Sequence, residues 1–155
     1  MTEVALELIK MGYANIEQVN DCGFTALVRA CRNKMTEVAF ELIKMGYVNP
    51  EQVYDCGWTA LFVACQYGMS EFALELIKTG HSDLDQVDED GDTVFTCACY
   101  SKMTEVVLEL IKTRHATLDL VDYDNDETAL IWACENDMKE VALELIKAGY
   151  DNSEH

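Results

Sequence analysis

Residues 35–47 read MTEVAFELIKMGY, and close copies of this stretch begin at residues 1, 69, 103 and 138. Every copy opens with methionine, and successive methionines lie 34, 34, 34 and 35 residues apart. A period of this length is typical of a solenoid, in which each repeated unit packs only against its neighbours. The chain compared with itself therefore predicts a repeat fold.

A second repeated segment lies between these copies. It reads GFTALVRACRNK, GWTALFVACQYG, GDTVFTCACYSK and DETALIWACEND in chain order. Each unit thus combines two helical segments of about ten residues, and loops such as GYVNPEQVYDCG join one unit to the next. We predict a single all-α solenoid domain over residues 1–155, with a half repeat at 1–19 and repeats at 20–53, 54–87, 88–121 and 122–155.

The second helix of each unit carries one apolar stripe. In the copy at 35–47, apolar residues recur at i, i+3, i+4, i+7 and i+8: Met35, Val38, Ala39, Leu42 and Ile43. Two glutamates and a lysine take the opposite side. A helix this short cannot bury its stripe by itself, so neighbouring units must stack.

The first helix has one face that repeats and one that changes. The repeating face reads Ala/Leu/Ala/Cys in three units and Val/Phe/Ala/Cys in the other, a pattern of small packed residues. The changing face reads Val/Arg/Arg/Asn, Phe/Val/Gln/Tyr, Thr/Cys/Tyr/Ser and Ile/Trp/Glu/Asn. We predict that the first face is buried between units and that the second is a binding surface. The cysteines of the repeating face are Cys31, Cys65, Cys99 and Cys134.

The units resemble the ankyrin repeat, because G-x-T-A-L-x-x-A-C is followed by a second helix and a linker that contains glycine. Residues 23–27 and 57–61 match the family pattern best. The family's proline is replaced by alanine or valine, its histidine is replaced by Val28, Phe62, Thr96 or Ile131, and its period of about 33 residues is longer here. The variant is similar to repeats abundant in giant DNA viruses, and an engineered ankyrin scaffold is the alternative origin.

The resemblance implies an L-shaped stack whose turns project as fingertips, and a role in binding other proteins through those tips and the first-helix face. The changing face supports that role independently. Aromatic residues and arginine are enriched where binding energy concentrates. The residues predicted to bind a partner are Cys22, Phe24, Arg29, Arg32, Asn33, Tyr54, Cys56, Trp58, Phe62, Gln66, Tyr67, Asp90, Asp92, Tyr100, Tyr123, Trp132 and Glu135.

The charge of the chain narrows the classes of partner. A formal net charge of −18 disfavours nucleic acid and anionic membranes, since both are bound through lysine and arginine. No apolar run approaches the ~20 residues of a membrane span, and the acidic start is unlike a signal peptide. Seven cysteines without an export signal indicate free thiols and a cytoplasmic location, the host cytoplasm if the protein is viral.

The sequence predicts no enzyme, no metal site and no cofactor. A cysteine nucleophile needs a nearby base, but His81 and His115 lie in linkers and His155 ends the chain. Cys97 and Cys99 are close in sequence but point to opposite faces of one helix. The acidic turn from residue 122 has Glu127 and Ala133 where a calcium-binding loop needs glycine and glutamate.

The charges on the changing face are unevenly distributed along the chain. Arginine and lysine dominate the first full unit, aromatic residues the second, and acidic residues the last two. A partner with an acidic patch, an apolar centre and a basic patch would complement this order. Three interpretations stay open. The chain is a natural adaptor, an engineered binder, or a self-assembling solenoid that associates through its uncapped N-terminal helix. Framework differences such as Ala39 against Val107 favour the natural origin.

Overall fold

The computed structural model describes residues 2–12, 25–54, 57–80, 83–84, 86–113 and 129–148. Within these ranges the regular elements are α-helices, and one isolated antiparallel bridge joins Val87 to Thr93. The chain divides into two compact units, Met1–Ser82 and Asp83–His155, which are described separately. The predicted single domain and its repeat boundaries stay predictions.

The described residues of the first unit form five helices in two layers: α1 (Thr2–Lys10), α2 (Ala26–Arg32), α3 (Thr36–Lys44), α4 (Ala60–Gln66) and α5 (Ser70–Thr79). The seven-residue first helices α2 and α4 pack against each other, and the longer second helices pack in the order α1, α3, α5. Each first helix also packs against its own second helix, α2 on α3 and α4 on α5.

In the second unit the described residues form four helices in the same arrangement: α6 (Val94–Tyr100), α7 (Thr104–Lys112), α8 (Ala129–Glu135) and α9 (Lys139–Ala148). First helices α6 and α8 pack together, as do second helices α7 and α9, and the two helices of each repeat are also in contact.

A buried threonine begins three of the first helices. The hydroxyl oxygens of Thr25, Thr59 and Thr93 each accept a hydrogen bond from the backbone N–H three residues later, at 3.5, 3.3 and 3.1 Å. These N–H groups have no carbonyl partner within the helix, so the side chain supplies one. The threonine of the G-x-T motif is therefore a helix cap enclosed in the core.

The turn between the two helices of a repeat has the same geometry in all four described copies. Lys34, Gly68, Lys102 and Asp137 adopt left-handed backbone, with φ of 54, 66, 52 and 57°. The methionine after each donates its N–H to the carbonyl five residues earlier, at 2.8 to 2.9 Å. This pair of features is a Schellman helix end. The repeated methionine therefore marks where the first helix stops and the second begins.

The repeating face of the first helices is buried as predicted in α4 and α6, whereas Ala26 of α2 and Ala129 and Leu130 of α8 are half-buried. Cys31, Cys65 and Cys99 are fully enclosed, and Ala60 and Ala64 have no exposed surface. Cys134 is exposed, so the prediction that it is packed was wrong. Among the described helices, no first helix packs on the side of α8 that carries Cys134.

We expect Lys102→Gly to stabilise the protein by ~0.5–1 kcal/mol, because left-handed backbone costs a residue with a Cβ more than it costs glycine. The midpoint of urea denaturation should rise accordingly. Lys78→Gly is the matched control: Lys78 lies inside α5, where the same change should destabilise by about 1 kcal/mol. A lower midpoint for Lys102→Gly would contradict the assigned turn geometry.

We expect Thr59→Ala to destabilise the first unit by about 1–2 kcal/mol, because the N–H of Phe62 loses its acceptor in a buried setting. Thr59→Ser removes the methyl group and keeps the oxygen, so the difference between the two variants isolates the cap bond. Equal denaturation midpoints for the alanine and serine variants would show that the cap contributes nothing.

Candidate partner-binding surface

The structure sorts the predicted partner-binding residues into four groups. Cys22, Phe24, Cys56 and Tyr123 lie outside the described residues. Tyr54 and Phe62 are buried. Trp58, Tyr67, Asp92 and Trp132 are half-buried. The exposed residues are Arg29, Arg32, Asn33, Gln66, Asp90, Tyr100 and Glu135.

The exposed ends of α2 and α4 form a polar surface in the first unit, here called the α2–α4 surface: Arg29, Arg32, Asn33, Gln66 and Tyr67. Arg32 and Gln66 occupy equivalent positions of adjacent packed helices, as do Asn33 and Tyr67. The Asn33 side-chain amide donates to the Arg29 carbonyl at 2.9 Å and closes the end of α2. The surface therefore sits on rigid, capped helix ends.

This surface is locally cationic although the protein is strongly acidic. Within the described ranges no carboxylate pairs with Arg29 or Arg32, and both side chains are exposed. Lys34 follows in the turn and is exposed as well. Three of the chain's 11 basic residues thus lie between positions 29 and 34, so positive charge is concentrated here in a protein of net charge −18.

Phe62 belongs to the core, so its predicted place on the binding face was wrong. It is 1% exposed, and its ring stacks against Trp58 with centroids 5.7 Å apart and an interplanar angle of 15°. Val63 is also fully buried, because α4 packs against both α2 and α5 and exposes little beyond its last turn. Trp58 is consequently a half-exposed ring held in place by a buried one.

Tyr54 is the second correction among the predicted partner-binding residues. It is 7% exposed, and its backbone closes the turn before α4: its N–H donates to the Trp58 carbonyl at 2.8 Å, and its carbonyl accepts from Gly57 at 2.8 Å. Burial raises the pKa of its hydroxyl. Tyr54 therefore supports Trp58 from within the fold and is not accessible to a partner.

The second unit presents an aromatic pair. The rings of Tyr100 and Trp132 meet edge to face, with centroids 5.6 Å apart and an interplanar angle of 89°. Tyr100 ends α6, Trp132 lies in α8, and these two helices pack together. Tyr100 is 50% exposed and Glu135 is exposed nearby in sequence on α8. Packing thus brings two of the predicted residues together, although 32 positions separate them in the sequence.

The acidic turn before α6 uses its own carboxylate for structure. The Asp88 side chain accepts hydrogen bonds from the N–H groups of Asp90 at 3.0 Å and Asp92 at 2.9 Å. Asp90 stays exposed at the tip. Among the described residues, no group of three or more histidine, cysteine or acidic side chains is placed to hold a metal ion.

The buried thiols are poorly suited to nucleophilic chemistry. Burial raises the pKa of Cys31 to about 12. Burial, with the nearby Asp92 and Asp88 carboxylates, raises the pKa of Cys97 to about 12. Cys97 was predicted on the changing face but is 3% exposed, so that placement was wrong. Since the thiolate is the reactive form, these side chains act as core residues.

The sequence carries only a partial signal for the burial of Phe62. The equivalent positions hold Val28 and Ile131, so three of the four units place an apolar residue there. Val28 is buried but Ile131 is 46% exposed, so an apolar residue at this position does not by itself decide its burial. The T-shaped contact of Phe40 with Phe72, with centroids 5.2 Å apart, had no such signal, because it joins the second helices of different repeats.

The chain is similar to ankyrin-repeat proteins in both sequence and fold. A family model described as ankyrin repeats (3 copies) matches residues 1–88 and 69–154. A crystal structure of an ankyrin repeat domain from Acinetobacter baumannii AYE has a TM-score of 0.75 and 23% sequence identity, covering 96% of this chain and 78% of that one. No curated protein sequence matches the chain. These findings confirm the predicted all-α repeat solenoid.

No described helix has the length and apolar character to cross a membrane.

We expect thiol-reactive reagents at pH 8 to modify Cys134 and to spare Cys31 and Cys97 in the folded protein. A pKa of about 12 leaves roughly one thiol in ten thousand ionised at that pH. Mass spectrometry of iodoacetamide-treated peptides gives the readout, and labelling in denaturant is the control in which all three should react. Rapid labelling of Cys31 in the folded state would contradict its burial.

The same thiols should make stability depend on pH. Because their pKa is 9.0 without burial, the unfolded state loses these protons first, and the free energy of unfolding should fall as pH rises from 9 towards 12.

Proposed function

Because the chain belongs to the ankyrin-repeat family, we propose that it is a non-enzymatic module that binds another protein through the exposed ends of its first helices. Repeats of this family generally mediate protein–protein interaction. In this chain the α2–α4 surface is the principal site at which the partner protein binds. The observation that carries it is the cluster of exposed arginines, which have no ion pair with any described residue, beside a tyrosine on capped helix ends.

The residue types of the α2–α4 surface support binding. Tyrosine and arginine are the side chains most often found to dominate interface energies. Tyr67 caps α4 and Asn33 caps α2, so both side chains start from fixed backbone. Little backbone conformational freedom has to be lost on binding, which favours affinity. Trp58, held by Phe62 at the other end of α4, is a second anchor.

The charge of this surface favours an acidic segment that carries an apolar or aromatic side chain. Arg29 and Arg32 would contact the acidic groups, and Tyr67 would contact the apolar one. The net charge of −18 opposes approach of such a segment at long range. Charges farther than about 8 Å are largely screened at physiological salt, so the neighbouring arginines dominate at contact.

The second unit supports a surface of different character. Tyr100 and Trp132 form an aromatic pair, and Glu135 and Asp90 are exposed acidic residues in the same unit. Such a surface favours apolar groups flanked by basic residues.

The predicted cytoplasmic location, and the viral or engineered origin, stay predictions.

The test uses peptides selected from a random display library against the whole chain. We expect enrichment of acidic sequences with an aromatic or aliphatic residue. Tyr67→Ala should weaken binding of the selected peptides by roughly tenfold, about 1.4 kcal/mol. Arg32→Glu should lower the association rate severalfold and reduce its salt dependence. Titration calorimetry and stopped-flow fluorescence measure these two effects.

Lys78→Glu is the control for charge reversal, because Lys78 is exposed on second helix α5, away from the α2–α4 surface. It makes the same change in net charge as Arg32→Glu and should leave binding unchanged. If Lys78→Glu and Arg32→Glu weaken binding equally, net charge and not the α2–α4 surface is responsible. If Tyr67→Ala and Arg32→Glu both bind like the wild type, the proposed site is wrong.

A further inference from the structure

The turn between α2 and α3 carries a lysine where glycine would strain the backbone less. Lys34 has left-handed backbone, with φ of 54°, and Gly68 has the same geometry in the next repeat, with φ of 66°. A residue with a Cβ is disfavoured in this region, whereas glycine adopts it freely. Gly68 shows that the turn forms without any side chain. Lys34 is therefore present at a cost to the stability of the fold.

The charge of Lys34 does not offset this cost within the first unit. Its side chain is exposed, and it forms no ion pair or hydrogen bond with any described residue. A Cβ placed on Gly68, at the equivalent position, meets no atom within 4 Å, so the turn directs its side chain away from the protein. A cation is favoured at the C-terminal end of a helix, but Arg29 and Arg32 already occupy the last turn of α2.

Backbone hydrogen bonds hold Lys34 at a fixed place beside the α2–α4 surface. Its N–H donates to the Cys31 carbonyl at 2.9 Å, and the N–H of Met35 donates to the Ala30 carbonyl at 2.8 Å. One residue separates it from Arg32, so the Cα atoms of Arg32 and Lys34 are at most about 7 Å apart. Two cations on fixed backbone are therefore within reach of one short segment of a partner.

We propose that Lys34 is a further partner contact and that, with Arg32, it selects partners in which two acidic side chains lie close together. The guanidinium of Arg32 binds one carboxylate, and the ammonium group of Lys34 binds the other. Because the space over Gly68 is open, the bound segment continues across that turn to Tyr67. This inference rests on the proposed function, because it concerns the partner of the same α2–α4 surface.

Two neighbouring cations discriminate between partners better than one does. A single exposed ion pair contributes little to binding, so one acidic residue distinguishes partners poorly. Two pairs act together, because fixing the first carboxylate brings the second one next to its cation. A neutral residue in place of either acidic residue leaves one cation without a partner. Segments with a single acidic residue should therefore bind more weakly than segments with two.

The experiment uses an acidic peptide from the display selection whose affinity for the whole chain is lowered by Arg32→Glu. Two variants are compared with the wild type by titration calorimetry and by urea denaturation. Lys34→Gly removes both the charge and the strained backbone, so it should weaken binding about three- to fivefold and raise the urea midpoint. Lys34→Gln removes only the charge, so it should weaken binding to the same extent and leave the midpoint nearly unchanged.

The matched control is Lys102→Gly. Lys102 is exposed and has the same left-handed backbone in the second unit, with φ of 52°. The variant makes the same change in net charge as Lys34→Gly, so it should raise the urea midpoint and leave peptide binding unchanged.

A second arm changes the peptide, by replacing each of its acidic residues in turn with the corresponding amide. One replacement should weaken binding to the wild type about as much as Lys34→Gln does. Lys34→Gln should then have no further effect on that peptide, because the pair it breaks is already lost.

Several outcomes would overturn the inference, and they differ from failure of the proposed function. If Lys34→Gln binds the acidic peptide as the wild type does, Lys34 is not a contact, although the loss caused by Arg32→Glu still supports the α2–α4 surface. If Lys102→Gly weakens binding as much as Lys34→Gly, net charge is responsible. If Lys34→Gln weakens every amide peptide as much as the acidic one, no carboxylate meets Lys34. Selection of peptides that Arg32→Glu and Tyr67→Ala leave unaffected would overturn both proposals.

Discussion

The packing of one second helix on the next is the contact on which the rest of the structure depends. A helix of nine or ten residues is marginal in water, and its apolar stripe is stable only when another repeat covers it. Leu42 and Val107 have no exposed surface because neighbouring helices supply that cover. The caps and turns then set where each helix begins and ends.

The capping threonine and the left-handed turn give each repeat the same shape. Since the Thr oxygen and the methionine N–H satisfy the groups that the short first helix leaves without partners, seven residues are enough to form it. Repeats of the same shape present similar packing faces, so surface residues can differ without disturbing the stack. Arg29 and Tyr67 can therefore differ from their counterparts while Ala30 and Ala64 do not.

The two surfaces of the repeat have different physical characters. First-helix ends carry arginine, tyrosine and tryptophan on fixed backbone, which suits recognition of a particular partner. Second helices carry aliphatic stripes that repeat along the chain, which suits packing on the next repeat.

The sequence by itself determined the repeat, the helix pairs, the buried alanines and most of the buried cysteines, because periodic residues in a solenoid have the same neighbours in every unit. It also identified Arg29, Arg32 and Tyr100 as exposed. Only the tertiary structure decided that Phe62, Tyr54 and Cys97 are inside. A helical wheel assigns two sides to a helix, whereas α4 has neighbours on several sides, and the number of sides covered depends on how the repeats pack.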